Sequence, residues 1–302
     1  VELPSPNLAR RWSLYAGLLA TLAASHLGGA AVARAQAPAE ATLRFHLAQE
    51  ARRRGEPLVA AQWLAAAVQL DPGATIPRLE WASVLLEIGD PAAAERALTP
   101  LASWWEGRSE GEDDLGAWYA RLRGASAARL GSNDEAVVWY ERAVTRAPGD
   151  LGLRAQLIGQ YRARNDEARA LVHLQAAAGL MPASADLRLE VGRSLLSLDR
   201  WPEAEGVFAE AATLDPRLEG AWDGLGVART RRGDLAGAEA AFRRGLEVAP
   251  ASAALYEHLG DALLGGGRVE AALQAYERAV TLAPNEPRLA EKVDRARAAL
   301  PQ

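Results

Sequence analysis

Five prolines, Pro148, Pro182, Pro216, Pro250 and Pro284, follow one another at a constant interval of 34 residues. A chain that returns to the same residue at the same interval is built from copies of one supersecondary unit, each stacked on its neighbours. Seventeen residues before each proline stands Gly131, Asn165, Asp199, Gly233 or Gly267. All of these are residue types able to take the left-handed conformation that ends a helix. Counting back from Pro72 gives Gly55, and 34 residues beyond Gly55 lies Gly89, so one register covers seven units.

Twelve residues before the proline position the column reads Ala60, Ala94, Ala136, Ala170, Ala204, Ala238 and Ala272. A methyl group is the largest side chain that lets two helix axes close to the short end of the usual ~8–10 Å separation, so the column predicts a helix crossing. Four residues further on come Leu64, Leu98, Tyr140, Leu174, Phe208, Phe242 and Tyr276, the bulky groups that fill the space between neighbours. In the first helices, Trp222, Leu225 and Gly226, then Tyr256, Leu259 and Gly260, repeat an aromatic, leucine and glycine pattern. Arg154 and Arg188 replace the aromatic, and Ile158 the glycine, in earlier units.

This set of slots resembles the tetratricopeptide repeat, a helix-turn-helix unit of the same length. The resemblance implies an all-α fold: a right-handed α-solenoid of about seven helix hairpins plus a C-terminal capping helix. The units fall at about 41–74, 75–116, 117–150, 151–184, 185–218, 219–252 and 253–284, with the cap at 285–302. Composition agrees, since alanine is abundant and aromatics make up only 6%, which suits closely packed helices better than strands. In the cap, Asn285 reads as the N-cap and Pro287 as a first-turn residue, with Leu289, Val293, Ala296 and Leu300 on one stripe.

The second unit departs from the register. Gly89 and Gly131 are 42 residues apart, which makes room for eight extra residues. Pro100 is expected to interrupt its second helix, and Trp104-Trp105 leads into the acidic, glycine-containing run 106–114. That run reads either as a solvated insertion or as a contact loop whose Trp pair touches a partner. It lacks the alternating ligands of a calcium loop.

Residues 1–37 differ from everything after them. Arg10 and Arg11 precede an uncharged stretch, and Ala35-Gln36-Ala37 stands before Pro38, the layout of a signal peptide with its cleavage site. The alternative is an anchor left in the inner membrane over residues 12–33, a stretch of spanning length. Either outcome exports the body, 38–302, to the periplasm or beyond, and membrane contact is then limited to an uncleaved N-terminal segment. Arginine supplies every basic side chain except Lys292, a usage expected of a GC-rich bacterial genome. The chain has no cysteine, so neither disulfides nor thiolate metal sites can form, and its net charge of −5 argues against nucleic acid as a partner.

Chemistry at a single point needs clustered groups, and the four histidines, His26, His46, His173 and His258, lie far apart in the sequence. Gly224-Leu225-Gly226 and Gly265-Gly266-Gly267 fall on glycine positions of the repeat in helical context, so neither reads as a nucleotide loop. No catalytic residue, metal or cofactor is expected. The resemblance implies instead that first helices line a concave groove that holds a peptide or helix of another protein. Carried onto this chain, the groove register selects Phe45, Arg52, Arg53, Ile76, Leu79, Leu86, Trp118, Arg121, Arg129, Arg162, Leu189, Arg193, Leu196, Asp223 and Arg231. The arginines among them suit an acidic segment or a free C-terminus of the partner. Some tetratricopeptide proteins clamp the tails of cytosolic chaperones with Lys and Asn, whereas here Asp223, Val227, Glu257 and Asp261 occupy slots of that kind, and export speaks against such a partner. The expected function is a non-catalytic interaction scaffold of the cell envelope. The alternative is a membrane-tethered assembly factor or an accessory subunit of a secretion or polysaccharide-export machine.

Overall fold

The structure, a computed structural model, describes residues 29–108 and 113–300, with side chains from Ala37 onward. The regular elements among the described residues are all helical, and by internal packing they form two compact units, one up to Leu153 and one from Arg154. The first unit holds α1 (Gly29–Arg53), α2 (Pro57–Leu70), α3 (Thr75–Glu87), α4 (Pro91–Leu98), α5 (Ala102–Glu106), α6 (Asp114–Arg129) and α7 (Asn133–Arg146). From α8 (Leu151–Ala163) the second unit continues with α9 (Glu167–Leu180), α10 (Ala185–Ser197), α11 (Trp201–Leu214), α12 (Glu219–Arg232), α13 (Leu235–Val248), α14 (Ala253–Gly265), α15 (Val269–Leu282) and the cap α16 (Pro287–Ala298). Each unit is a solenoid of helix hairpins.

The register read from the sequence recurs in the backbone. Gly55, Gly89, Gly131, Asn165, Asp199, Gly233 and Gly267 all have positive φ, between 56° and 86°, and no other described residue does. In the left-handed conformation each one ends a first helix and turns the chain into the second. Three of the second helices are then started by aspartate caps. Asp90, Asp166 and Asp234 accept from the backbone N–H groups of Ala93, Arg169 and Gly237 at 2.8, 3.1 and 3.0 Å.

All seven alanines of the crossing column are 0% exposed. The bulky group four residues later is buried in every hairpin, from Leu98 and Phe208 at 0% to Leu174 at 3%. Its seat lies on the first helix of the same hairpin. A methyl group placed on Gly192 would lie 2.6 Å from the Phe208 ring, one on Gly226 2.4 Å from Phe242, and one on Gly260 2.5 Å from Tyr276. Helix glycine costs about 1 kcal/mol relative to alanine, and here that cost is offset by contact between a ring and bare backbone.

Arginine in the aromatic slot has a physical reason. Trp222 donates its indole N–H to the carbonyl of Pro216 at 2.9 Å. Arg78, only 7% exposed, reaches the equivalent carbonyl of Pro72 at 2.9 Å. Arg188 donates to the carbonyl of Ala178 and to Glu210. Arg78 keeps the tie to the preceding turn, Arg188 reaches the last turn of the preceding helix instead, and the arginine stem fills part of the space an aromatic would occupy.

As expected, the helix stops before Pro100: α4 ends at Leu98, and a 3-10 turn, Thr99–Leu101, leads into α5. The Trp pair then turns back on its own unit. Trp104 lies edge-on to Tyr119 with ring centroids 6.2 Å apart, and Trp105 stands 6.0 Å from Tyr119 and 5.2 Å from Trp139. The insertion is therefore docked through its aromatic rings. The middle of the acidic run, 109–112, lies outside the described residues.

The cap helix begins one residue later than the asparagine suggested. Pro287 occupies the first helical turn and Glu286 is the N-cap in place of Asn285, because a proline that starts a helix makes its immediate predecessor the cap. Leu289, Val293 and Ala296 are buried as the stripe requires. At the other end α1 starts at Gly29 and runs through Pro38. The signal-like segment 1–37 and its anchor alternative, 12–33, fall mostly outside the described residues. Among the described residues no helix is long and apolar enough to cross a membrane.

Candidate partner-binding surface

Within each unit first helices of successive hairpins touch directly, α3 with α6 in the first, and α10 with α12 and α12 with α14 in the second. The groove register falls on these helices. What each side chain does there depends on its neighbours.

In the first unit Phe45 is half-buried against Ala48, Ala51 and Leu64, and Trp118 packs against the core around Leu79, Leu98 and Tyr119. Leu79 and Leu86 are 0% and 5% exposed, so they are core residues and not lining groups, whereas Ile76 is 46% exposed. Arg52 is tied to Glu80 and, at 3.7 Å, to Glu87 on the next first helix. Arg53 pairs with Glu50. Arg129 donates to the carbonyl of Leu86. Of the groove arginines of this unit, Arg121 alone is exposed and without an ion-pair or hydrogen-bond partner among the described residues.

The second unit repeats this division. Arg162 contacts Glu190 at 3.1 Å and Glu167 at 3.3 Å, and Arg193 reaches the same Glu190 at 2.9 Å. The pairs Arg52–Glu80 and Arg162–Glu190 both span 28 residues, so one repeat register supplies the same staple in both units. Leu189 is 7% exposed and supports the surface from beneath, while Leu196 is half-buried against the same core. Arg231 is exposed and unpaired among the described residues. The groove arginines are therefore not all free cations. Arg52, Arg129 and Arg162 tie adjacent first helices, Arg53 and Arg193 pair within their own helices, and Arg121 and Arg231 are left over.

Sequence reasoning missed how the acidic residues of the last hairpins are occupied. Asp223 bonds the Nδ1 atom of His258 at 2.6 Å. That bond, with Glu257 and Asp261 nearby, raises the pKa of His258 against the opposing effect of burial. Glu257, 3% exposed, accepts from Arg288 at 3.0 Å and pairs with Lys292 at 2.9 Å. Asp261 accepts from Lys292 and from the Tyr276 hydroxyl, each at 2.7 Å. Burial and the Asp261 bond push Tyr276 above the usual phenol range. Both cations come from α16, so the cap neutralises Glu257 and Asp261, while Asp223 is met by His258 of α14. The signal for this, basic residues at the start of the cap, was visible but had no assigned partner.

Two packed units of helix hairpins with a repeating turn, crossing and knob define a helical-repeat interaction protein. The comparisons agree. A tetratricopeptide-repeat family model matches residues 79–150 and 224–287. The C-terminal part of a TPR repeat-containing protein from Cytophaga hutchinsonii superposes with a TM-score of 0.61 at 14% identity, over 82% of this chain and 99% of that one. The crystal structure of a MamA protein does so with a TM-score of 0.50 at 19% identity, over 57% of this chain and 94% of that one. A search of curated proteins finds no match. Tetratricopeptide repeats thus occur in both units, and the fold they build is that of a protein–protein interaction scaffold.

Proposed function

We propose that this chain is a non-catalytic scaffold of the bacterial cell envelope that holds a peptide or helix of a partner protein against its first-helix side. The observation that carries this reading is that within each unit first helices touch directly, and that Arg121 in the first unit and Arg231 in the second stay exposed and unpaired among the described residues while neighbouring arginines are used as ties. In each unit the open guanidinium suits an acidic segment or a free C-terminus of the partner. Trp118 and Leu196 border the same helices as apolar contacts. The signal-like pattern of residues 1–37 supports export.

Photo-crosslinking residues placed at 121 and 231 in intact cells test the reading, with Val172, 61% exposed on a second helix, as the control position. Adducts with the same protein from 121 and 231, and none from 172, are expected in the periplasmic fraction. Adducts from 172 alone, or a wholly cytoplasmic chain, contradict it. Arg162 and Arg193 are poor test positions, because reversing their charge also breaks the ties to Glu190.

A further inference from the structure

The insertion-bearing hairpin carries a second cationic feature, away from the first-helix side. Arg142 and Arg146 stand one turn apart on α7, a second helix, and both lie over the Trp105 ring, at 5.2 and 4.3 Å. Arg142 is also 4.8 Å from Trp139, so its guanidinium rests in the notch between two indoles set 72° apart. Neither arginine has an ion-pair partner among the described residues. Asp113 holds Arg108 through both carboxylate oxygens and meets Arg146 only as a nearby charge without an ion-pair contact, and Glu95 and Glu135 hold Arg123.

Arg146 is only 6% exposed, and its Nε has no acceptor. The Trp105 Nε1 beside it is likewise buried without one. A side chain on Gly116 would come within 2.9 Å of the Arg146 Cδ, so glycine there preserves the room this arginine occupies. Stacking on an indole is worth about 0.5–2 kcal/mol and restrains the cation, but it leaves the in-plane N–H donors unsatisfied. A planar oxyanion satisfies them in pairs. Arg142 is the exposed member, held by two rings with its remaining edge open to solvent.

We propose that Arg142, backed by Arg146 in the Trp105–Trp139 notch, is a receptor for a carboxylate of a partner polypeptide. The site is separate from the first-helix side, so a partner gripped at both places gains by linkage. The insertion serves to bring Trp105 under the two guanidinium groups. Without α5, Arg142 would keep a single ring neighbour.

The test uses the full chain and two peptides, an amidated hexaglutamate and a neutral Gly-Ser peptide with a free C-terminus. The indole N–H signals of Trp105 and Trp139, assigned with W105F and W139F, are the readout. Saturable movement of both signals by either peptide is expected, and the peptide that acts tells whether side-chain or terminal carboxylates are read. R142A should abolish the response while the helicity of the folded chain is kept, and R142K should weaken it at least tenfold, since an ammonium cannot make the forked contact. No saturable shift with either peptide, or an R142K response equal to that of the native chain, overturns the proposal. So does an E110Q/E112Q variant whose unliganded signals move as those of R142A do, because the chain's own carboxylates would then fill the notch.

Discussion

In the hairpins α1–α2 and α3–α4 the buried knob is a leucine, Leu64 or Leu98, and the residue sixteen positions earlier is Ala48 or Ala82. In α6–α7, α10–α11, α12–α13 and α14–α15 the knob is Tyr140, Phe208, Phe242 or Tyr276, and the residue sixteen positions earlier is Gly124, Gly192, Gly226 or Gly260. The hairpin α8–α9 carries the remaining combination, Leu174 with Ile158 in one core. A ring is always matched with bare backbone, and a leucine with a side chain. The two positions therefore share one volume between them, and neither can be read alone.

Removing a ring tests the aromatic class most severely. Phe208 is 0% exposed and lies against the backbone of both Gly192 and Gly224, so Phe208→Ala should lower stability by about 3–5 kcal/mol in denaturant unfolding. The same loss at Leu64 should be smaller, about 2–5 kcal/mol, since fewer atoms are removed. Filling the seat tests the converse: Gly226→Ala forces the Phe242 ring to move and should cost about 1–3 kcal/mol. A fully tolerated methyl group at Gly226 would break the comparison.

The turn glycines sharpen it, because their constraint is conformational. Nothing lies within 4 Å of a methyl group at Gly233, yet its φ is +83°. Gly233→Ala should therefore cost about 1–2 kcal/mol from backbone strain alone. Asp199→Gly at the equivalent turn should be neutral or mildly stabilising under the same denaturant assay.

The smallest effect concerns pH in the second unit. His258 faces Asp223, Glu257, Asp261 and the Phe242 ring, and its pKa is raised in the folded chain. A raised pKa means that the contribution is complete below the unfolded value, about 6.5, and disappears as pH rises through the folded value. His258→Gln should be less stable than the native chain by about 0.2–1 kcal/mol at pH 6. At pH 9 the two should coincide, and a constant difference across that range would remove protonation from the explanation.

Much of the architecture was legible because stacked repeats expose their constraints periodically. The seven turn residues appear as the seven positive φ values, and the alanine column as seven fully buried methyl groups. Pro100 marks a real break. The candidate surface was legible only as register. Position tells that Arg52 and Arg162 lie on the first-helix side, but not that Glu80 and Glu190 meet them there. Likewise the Trp104-Trp105 pair could be seen as aromatic but not as turned toward Tyr119 and Trp139, since a ring's direction is set by partners from other helices.

Shared volume between paired positions is tested most directly in α8–α9, by measuring the coupling free energy between Ile158→Gly and Leu174→Phe. Each change alone should destabilise, the first by leaving a void and the second by overpacking, and the double variant should recover about 0.5–3 kcal/mol relative to their sum. Strictly additive losses would contradict the pairing, leaving glycine and ring as independent features of the repeat.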